Sequence, residues 1–307
     1  MKNDYYNSER VMEMRFSKLG PCYHLCTQPI SNGLLFRGDE DRLSCMNFIP
    51  IAACKADIVI LVFVLMSNHL HFILLGTESS CMAFYNYLLE MLSNYFSRHG
   101  NPGITDGVMP TLVAITDIKQ FRNETAYVLR NPFVARVDVN PLTYKWGSGN
   151  LYFNDFSVYR EGVDVSSLSI AKRRNITKTR EGEIPAGLKC LDGMIQTASY
   201  VDYRTVESLF RDTRSFLMNL FRNVEAQVET ARRYNENPSL NDEEAFLVVI
   251  KLCQDIYNVK GPKFLLESQR CELATKLKYN YYMSNKQIAR TACLGIEVVE
   301  SMFPLSK

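Results

Sequence analysis

Residues 64–74 read Val64-Leu65-Met66-Ser67-Asn68-His69-Leu70-His71-Phe72-Ile73-Leu74 and hold two of the chain's four histidines. In an extended strand successive side chains alternate between faces, so His69 and His71 point one way and Leu70 the other. Two neutral imidazoles side by side form a two-pronged grip for a divalent cation. A His-x-His pair on a strand is also common as ordinary packing. The metal reading therefore needs a third ligand and a reactive group from elsewhere in the chain.

The surrounding run, residues 58–75, is close in length to a bilayer span. Ser67, Asn68, His69 and His71 interrupt its middle, where polar groups cost most. Ile, Val and Phe dominate it, which favours a core strand over a membrane helix. At 307 residues the chain has room for two domains. Its 47% hydrophobic and 22% charged residues are those of an ordinary globular protein. A net charge of +2 neither demands nor excludes nucleic acid, so a local basic surface would have to do that work. The nine cysteines include no Cys-x-x-Cys pair, and residues 1–15 are polar and of mixed charge, unlike a signal peptide. Reduced thiols in a cytoplasmic protein, with no membrane association, are the expectation.

Working outward, the first half reads as α+β. Tyr23-His24-Leu25-Cys26 fits a short strand, and residues 28–33 are rich in turn formers. Residues 39–53 fit a helix that Pro50 breaks near its end. Phe84, Leu88, Met91, Leu92 and Tyr95 recur at helical spacing within 82–99. Residues 111–116 fit a strand. Asp117 suits the N-cap of a helix passing through Phe121 and Tyr127 to about Arg130. Pro132 disfavours helix at the residue before it, which puts Asn131 at or just past the end. These elements make a first domain over residues 1–160.

Residues 171–180, AKRRNITKTR, hold five basic residues and no acidic one. They fit a solvated linker within 161–200, or a segment whose Lys172, Arg173 and Arg174 lie along a phosphate backbone. Residues 201–307 then turn helical, with a long amphipathic helix expected over 206–228 and others over 242–257 and 264–278. Ser284 and Gln287 have capping-box spacing and open a helix over 287–292. Gly295 separates it from a last helix over 296–303, which is helix–turn–helix spacing. Lys286 and Arg290 suit a DNA backbone. Glu297 and Glu300 on the final helix do not, and packing or dimerisation is an equal reading of this pair.

No His-Glu-x-x-His, zinc-spaced cysteine set, Walker loop or Gly-x-Ser-x-Gly elbow is present, so no small-molecule cofactor is expected. Tyr127 and Asn131 are four apart and share a helix face. Tyrosine supplies a nucleophile and asparagine a carbonyl ligand for a hard cation. With a pKa near 10, a phenol attacks only an electrophile made more reactive. A divalent ion on His69, His71 and Asn131 would do that for a phosphodiester, and attack by Tyr127 would leave a phosphotyrosine and a free sugar hydroxyl. Cys22, His24 and Cys26 read as a core strand, His99 as a helix end, and Tyr85, Tyr87 and Tyr95 as packing residues.

Met66-Ser67-Asn68-His69-Leu70-His71-Phe72, together with Tyr127-x-x-x-Asn131-Pro132, resembles the single-tyrosine HUH transposases, and within them the REP-associated tyrosine transposases. Tyr23-His24, Leu35-Phe36 followed by Asp39, Asp41 and Arg42, and Tyr144-Lys145-Trp146-Gly147-Ser148 extend the likeness over about residues 20–155. The resemblance implies a ferredoxin-like antiparallel sheet with helices. It also implies a homodimer that cuts and rejoins single-stranded DNA at hairpins through a 5′-phosphotyrosine. Tyr127 would be the nucleophile, His69, His71 and Asn131 would hold Mg²⁺ or Mn²⁺, and Arg130 and Arg136 would lie near phosphate. Asn131 stands where related insertion-sequence enzymes carry glutamine. Ser67 replaces a proline, Arg136 lies two places beyond the family's arginine, and residues 107–115 lack an aromatic-Gln-Arg-Phe stretch. A DNA-binding protein that kept the fold without mobility, and a metallohydrolase using water, are the other classes compatible with these residues.

Overall fold

The computed structural model describes residues 2–28, 34–135, 139–158, 161–178, 184–222, 230–231, 233–234, 240 and 242–304. The expected turn-rich segment therefore lies mostly outside the described residues, as does Arg136. The chain divides into two units, Met1–Phe133 with Asp138–Leu220, and Val134–Val137 with Phe221–Lys307.

The first unit begins with helix α1 (Lys2–Ser17). It continues through β1 (Cys22–Thr27), α2 (Asp39–Ala56), β2 (Val59–Leu65), β3 (Leu70–Leu75), α3 (Glu78–Arg98), β4 (Pro110–Ala114) and α4 (Ile118–Ala135). The four strands form one sheet in the order β2-β3-β1-β4, with every neighbouring pair antiparallel. Two β-α-β passes thus interleave in a split β-α-β connectivity.

Both faces of the sheet are buried, which is why β2 reads as an unbroken apolar run rather than an alternating one. Leu25, Phe72, Leu74, Phe63 and Leu65 pack with Phe48, Ile49, Phe84 and Leu88 of α2 and α3. Cys22, Ile73, Val62 and Val64 pack on the opposite side with Phe121 and Val128 of α4. The β2–β3 register shifts between Ile60 and Val62. This irregularity lets Leu61 and Val62, though consecutive, enter the same core.

Several expectations are corrected. Residues 58–75 are two strands rather than one, joined by a tight hairpin in which Met66 N–H donates to the His69 carbonyl at 2.9 Å. Pro50 and Pro132 both sit inside helices. Their missing N–H groups carry a local cost. In α2 the packing of Phe48, Ile49, Ile51 and Ala52 outweighs it. Asn131 consequently lies within α4 rather than at its end. The apolar run from 206 contains two helices, α7 (Tyr203–Ser208) and α8 (Thr213–Arg222), and residues 223–229 lie outside the described residues. Asp212 separates them by capping α8, its Oδ1 accepting from Ser215 N–H at 2.7 Å.

The segment expected as a linker, 161–200, and residues 201–220 of the expected helical domain both fall within the first unit. After the short α5 (Asp155–Val158) come β5 (Val163–Asp164), α6 (Ile170–Thr177), β6 (Lys189–Leu191) and β7 (Met194–Ile195), and the strands make a second small sheet. Buried Asn47 of α2 ties this layer down. Its amide donates to the carbonyls of Ile176 and Gly193 at 3.1 and 2.9 Å, and its oxygen accepts from Ile195 N–H at 2.8 Å.

The second unit is described by α9 (Asp242–Tyr257), α10 (Glu267–Tyr281), α11 (Asn285–Thr291) and α12 (Ile296–Met302). They enclose a core of Val249, Cys253, Leu273, Leu277, Ile288, Val299 and Phe303. The expected capping box forms, with Gln287 N–H donating to Ser284 Oγ and Ser284 N–H to Gln287 Oε1. Among the described residues no helix is long and apolar enough to cross a membrane.

Residues 146–148 run along the outer edge of β2. Leu65 N–H donates to the Trp146 carbonyl at 2.8 Å and Ser148 N–H to the Phe63 carbonyl at 3.0 Å, covering an edge that would otherwise be open. A Cβ on Gly147 would stand 2.9 Å from the Phe63 carbonyl oxygen. Gly147→Ala is therefore expected to destabilise the first unit by about 1–3 kcal/mol, measured by denaturant unfolding.

Candidate functional site

The pairing of β1 with β3 places Cys26 opposite His71 and His24 opposite Ile73. Paired residues share a face, so His24 and His71 stand together on the side covered by α4. Leu70 enters the core on the other side, as alternation requires. His69 precedes β3, yet its ring lies on the same side as His71, with centroids 4.8 Å apart at an 80° angle. Thr27 holds this corner by accepting a 3.0 Å hydrogen bond from Leu70 N–H.

Helix α4 supplies the opposing wall. Its N-terminus is set by Asp117, which accepts from Gln120 N–H at 2.8 Å as expected of an N-cap. Glu124, Tyr127 and Asn131 follow at spacings of three and four and so form one stripe. The Tyr127 ring stands nearly perpendicular to His71 with centroids 5.7 Å apart, and 6.1 Å from His24. Asn131 Nδ2 donates to the Tyr127 carbonyl at 3.1 Å. A backbone carbonyl can only accept, so this contact assigns the amide nitrogen and leaves the oxygen for other partners. Tyr127, His69, His71 and Asn131 are thus brought together, from a hairpin and a helix well separated in sequence.

Two residues of the cluster were not assigned a role from sequence. The sequence places His24 in a core strand, and its Nδ1 lies 2.7 Å from Glu124 Oε2 and its Nε2 3.1 Å from His71 Nδ1. His24, Glu124 and His71 are all fully buried. The signal for Glu124 was its place three residues before Tyr127 on an amphipathic helix. The signal for His24 was its alternation with Cys22 and Cys26.

Burial dominates the electrostatics. It lowers the pKa of His69 to about 4, an effect partly offset by the nearby Asn131 side chain. His71 is held well below the ordinary histidine range by burial and by its neighbours His69 and His24. Both rings are therefore neutral at pH 7, the form that binds metals. Asn68 Oδ1 accepts from His69 Nδ1 at 2.8 Å, which directs His69 Nε2 the other way. That nitrogen is buried and makes no hydrogen bond of ordinary geometry. Such an orphaned atom is costly unless a ligand completes it. Cys22 on the same strand has its thiol raised to about 12, chiefly by burial, so the free thiol stays protonated at pH 7. Among the described residues no three His, Cys, Asp or Glu side chains are grouped to hold a metal. Two neutral imidazoles with one amide oxygen, however, fit a loosely held divalent ion with open positions.

The expected DNA contacts divide. Arg130 is only 2% exposed, its guanidinium over the Phe133 ring at 5.9 Å and its pKa lowered to about 10 by burial. It faces the interior rather than a polyanion outside. Lys172 and Arg174 are exposed on α6, and Arg173 is half-buried. In the second unit Lys286 and Arg290 are exposed on α11, and Glu297 and Glu300 on α12. His99 caps α3, its Nδ1 2.8 Å from the Tyr95 carbonyl, in keeping with a structural role.

No family model matches the chain, and no curated protein or solved structure is detectably similar to it.

Because folding lowers the pKa of His69, the unfolded chain binds the extra proton first. Stability is then lost as pH falls below about 6.5, and the loss levels off near 4. Going from about pH 7 to about pH 5, His69 alone should cost about 2 kcal/mol. Urea unfolding of wild type and His69→Asn at both pH values checks this, since the variant should lose correspondingly less.

Proposed function

We propose that the first unit is a metal-dependent, single-strand DNA transesterase in which Tyr127 is the nucleophile. One observation carries the reading. Tyr127 of α4 packs against the paired imidazoles of His69 and His71, with Asn131 one helical turn away. The split β-α-β sheet with both histidines on a central strand and its adjoining turn supports the ferredoxin-like arrangement that the motif resemblance implies.

His69, His71 and the Asn131 amide oxygen would hold Mg²⁺ or Mn²⁺. When bound, the ion supplies positive charge beside the phosphate, where negative charge develops during displacement. The Tyr127 oxygen attacks phosphorus and forms the new P–O bond. The bond from phosphorus to the 3′ oxygen of the upstream sugar breaks, and a proton replaces the one lost by the phenol. A 5′-phosphotyrosine and a 3′-hydroxyl result. The phosphodiester bond count is conserved, so the hydroxyl of another strand end can reverse the step without ATP. Lys172 and Arg174 on α6 supply exposed positive charge suited to a DNA backbone.

One observation favours the non-catalytic DNA-binding reading. Tyr127 is only 8% exposed, so a phosphodiester reaches it only if the covering side chains move aside.

Labelled single-stranded hairpin DNA from the flanks of the gene, incubated with Mg²⁺ or Mn²⁺, should yield a denaturant-stable protein–DNA adduct. Tyr127→Phe and the double variant His69→Ala, His71→Ala should each lose it by at least about 100-fold. Cleavage that survives Tyr127→Phe points to water as nucleophile, and binding without cleavage by wild type points to a binding protein. Separately, Lys172→Ala with Arg174→Ala should weaken single-strand binding and flatten the slope of log K against log salt by about 1, read by fluorescence anisotropy.

A further inference from the structure

We infer that Glu124 and His24 are positioning residues that decide which nitrogen His71 offers to a ligand. Their use in a metal site rests on reading His69 and His71 as ligands.

The three side chains form a buried chain, from Glu124 Oε2 to His24 Nδ1 at 2.7 Å and from His24 Nε2 to His71 Nδ1 at 3.1 Å. An ionised carboxylate only accepts, so the first hydrogen bond puts a proton on His24 Nδ1. A neutral His24 then has a lone pair on Nε2 and must receive a proton from His71 Nδ1. His71, also neutral, is left with its lone pair on Nε2. Every donor in the chain points toward Glu124, a direction in which each bond polarises the next.

The opposite polarity has a definite consequence. A neutral His24 carrying its proton on Nε2 instead would donate to His71 Nδ1, move the His71 proton to Nε2 and leave a bare Nδ1 against the Glu124 carboxylate. The nitrogen that a cation needs would then be blocked. Glu124, the terminal acceptor, is the group that selects between these arrangements.

His69 reaches the same outcome by a separate device. Its Nδ1 faces Asn68 Oδ1, which turns its Nε2 into the ligand atom. Two independent hydrogen bonds thus prepare two imidazoles, on one face and 4.8 Å apart, to present the same nitrogen. Partners of this kind on ligating histidines fix ring orientation, and their loss typically costs about 10–100-fold in metal affinity.

With only four histidines in the chain, two-bond ¹H–¹⁵N spectra of the metal-free, full-length protein near neutral pH resolve each tautomer. The expected result is a proton on Nδ1 and none on Nε2 for His24, His69 and His71. A His71 proton on Nε2, or rapid exchange between the two nitrogens, overturns the inference. Mn²⁺ titration followed by electron paramagnetic resonance gives the second readout. Glu124→Ala should bind about 10–100-fold more weakly than wild type. Glu124→Gln, whose side-chain oxygen still accepts from His24, should stay close to wild type. Unchanged affinity in Glu124→Ala also overturns the inference. If wild type binds no Mn²⁺, the metal reading falls and the His71 tautomer alone decides the relay. Should Glu124→Ala fail to fold by circular dichroism, the wild-type spectrum and the Glu124→Gln titration decide it.

Discussion

Strands β1 and β3 pair in a single register, Cys26 opposite His71 and Leu25 opposite Phe72, and the first unit is organised by that match. Side chains alternate along a strand, so a slip of one residue would exchange the two faces. If β1 flipped, His24 would meet the apolar wall of α2 and α3 and Leu25 the polar stripe of α4; if β3 flipped, His71 and Phe72 would be misplaced in the same way. Both faces are buried, so either error would strand polar groups without partners. The register that satisfies the apolar core is the same one that assembles the histidines.

The price of that assembly is a cluster of titratable side chains inside the protein. His24, His71 and Glu124 have no exposure, and Tyr127 and Asn131 have little. Burial of this kind is tolerable where each polar group has a defined partner. Glu124 and His24 meet this condition through short mutual hydrogen bonds, and Asn131 through the Tyr127 carbonyl. Low polarity around His69 and His71 keeps both rings neutral, so the fold prepares ligand-competent rings by the same burial that stabilises the sheet. His69 Nε2 is a buried site nitrogen outside these pairings, and it points to the place a ligand would complete.

Charge patterns in the sequence carry less positional information than apolar ones. The basic segment near residue 172 suggested a solvated connector, yet α6 is docked through Asn47, a single uncharged side chain buried in α2. Arg130, beside the tyrosine motif, suggested a phosphate contact, yet its guanidinium lies inside over Phe133. A long cationic side chain can be solvated, buried or stacked from the same local sequence, and only its surroundings choose.

Much of the fold was legible because apolar periodicity is local. The amphipathic pattern around Phe84 and Leu88 anticipated α3, the β-branched stretch near Thr111 anticipated β4, and Asp117 marked the start of α4. The His-x-His spacing put both imidazoles on one side of the hairpin, and the Tyr127–Asn131 spacing put both side chains on one helix face. These outcomes follow from the 2.0- and 3.6-residue repeats of the backbone, which any short window of sequence contains. The hairpin at Ser67-Asn68, the continuation of α4 past Pro132 and the break before Asp212 were not legible, because long-range packing and capping overrode local preference. The partnership of Glu124, His24 and His71 was beyond reach for the same reason. Their contact depends on the order β2-β3-β1-β4 and on the docking of α4, and no local repeat encodes which strand lies beside which. The residues that could do chemistry were written in the chain; tertiary packing decided which of them touch, because burial and strand order are properties of the whole fold.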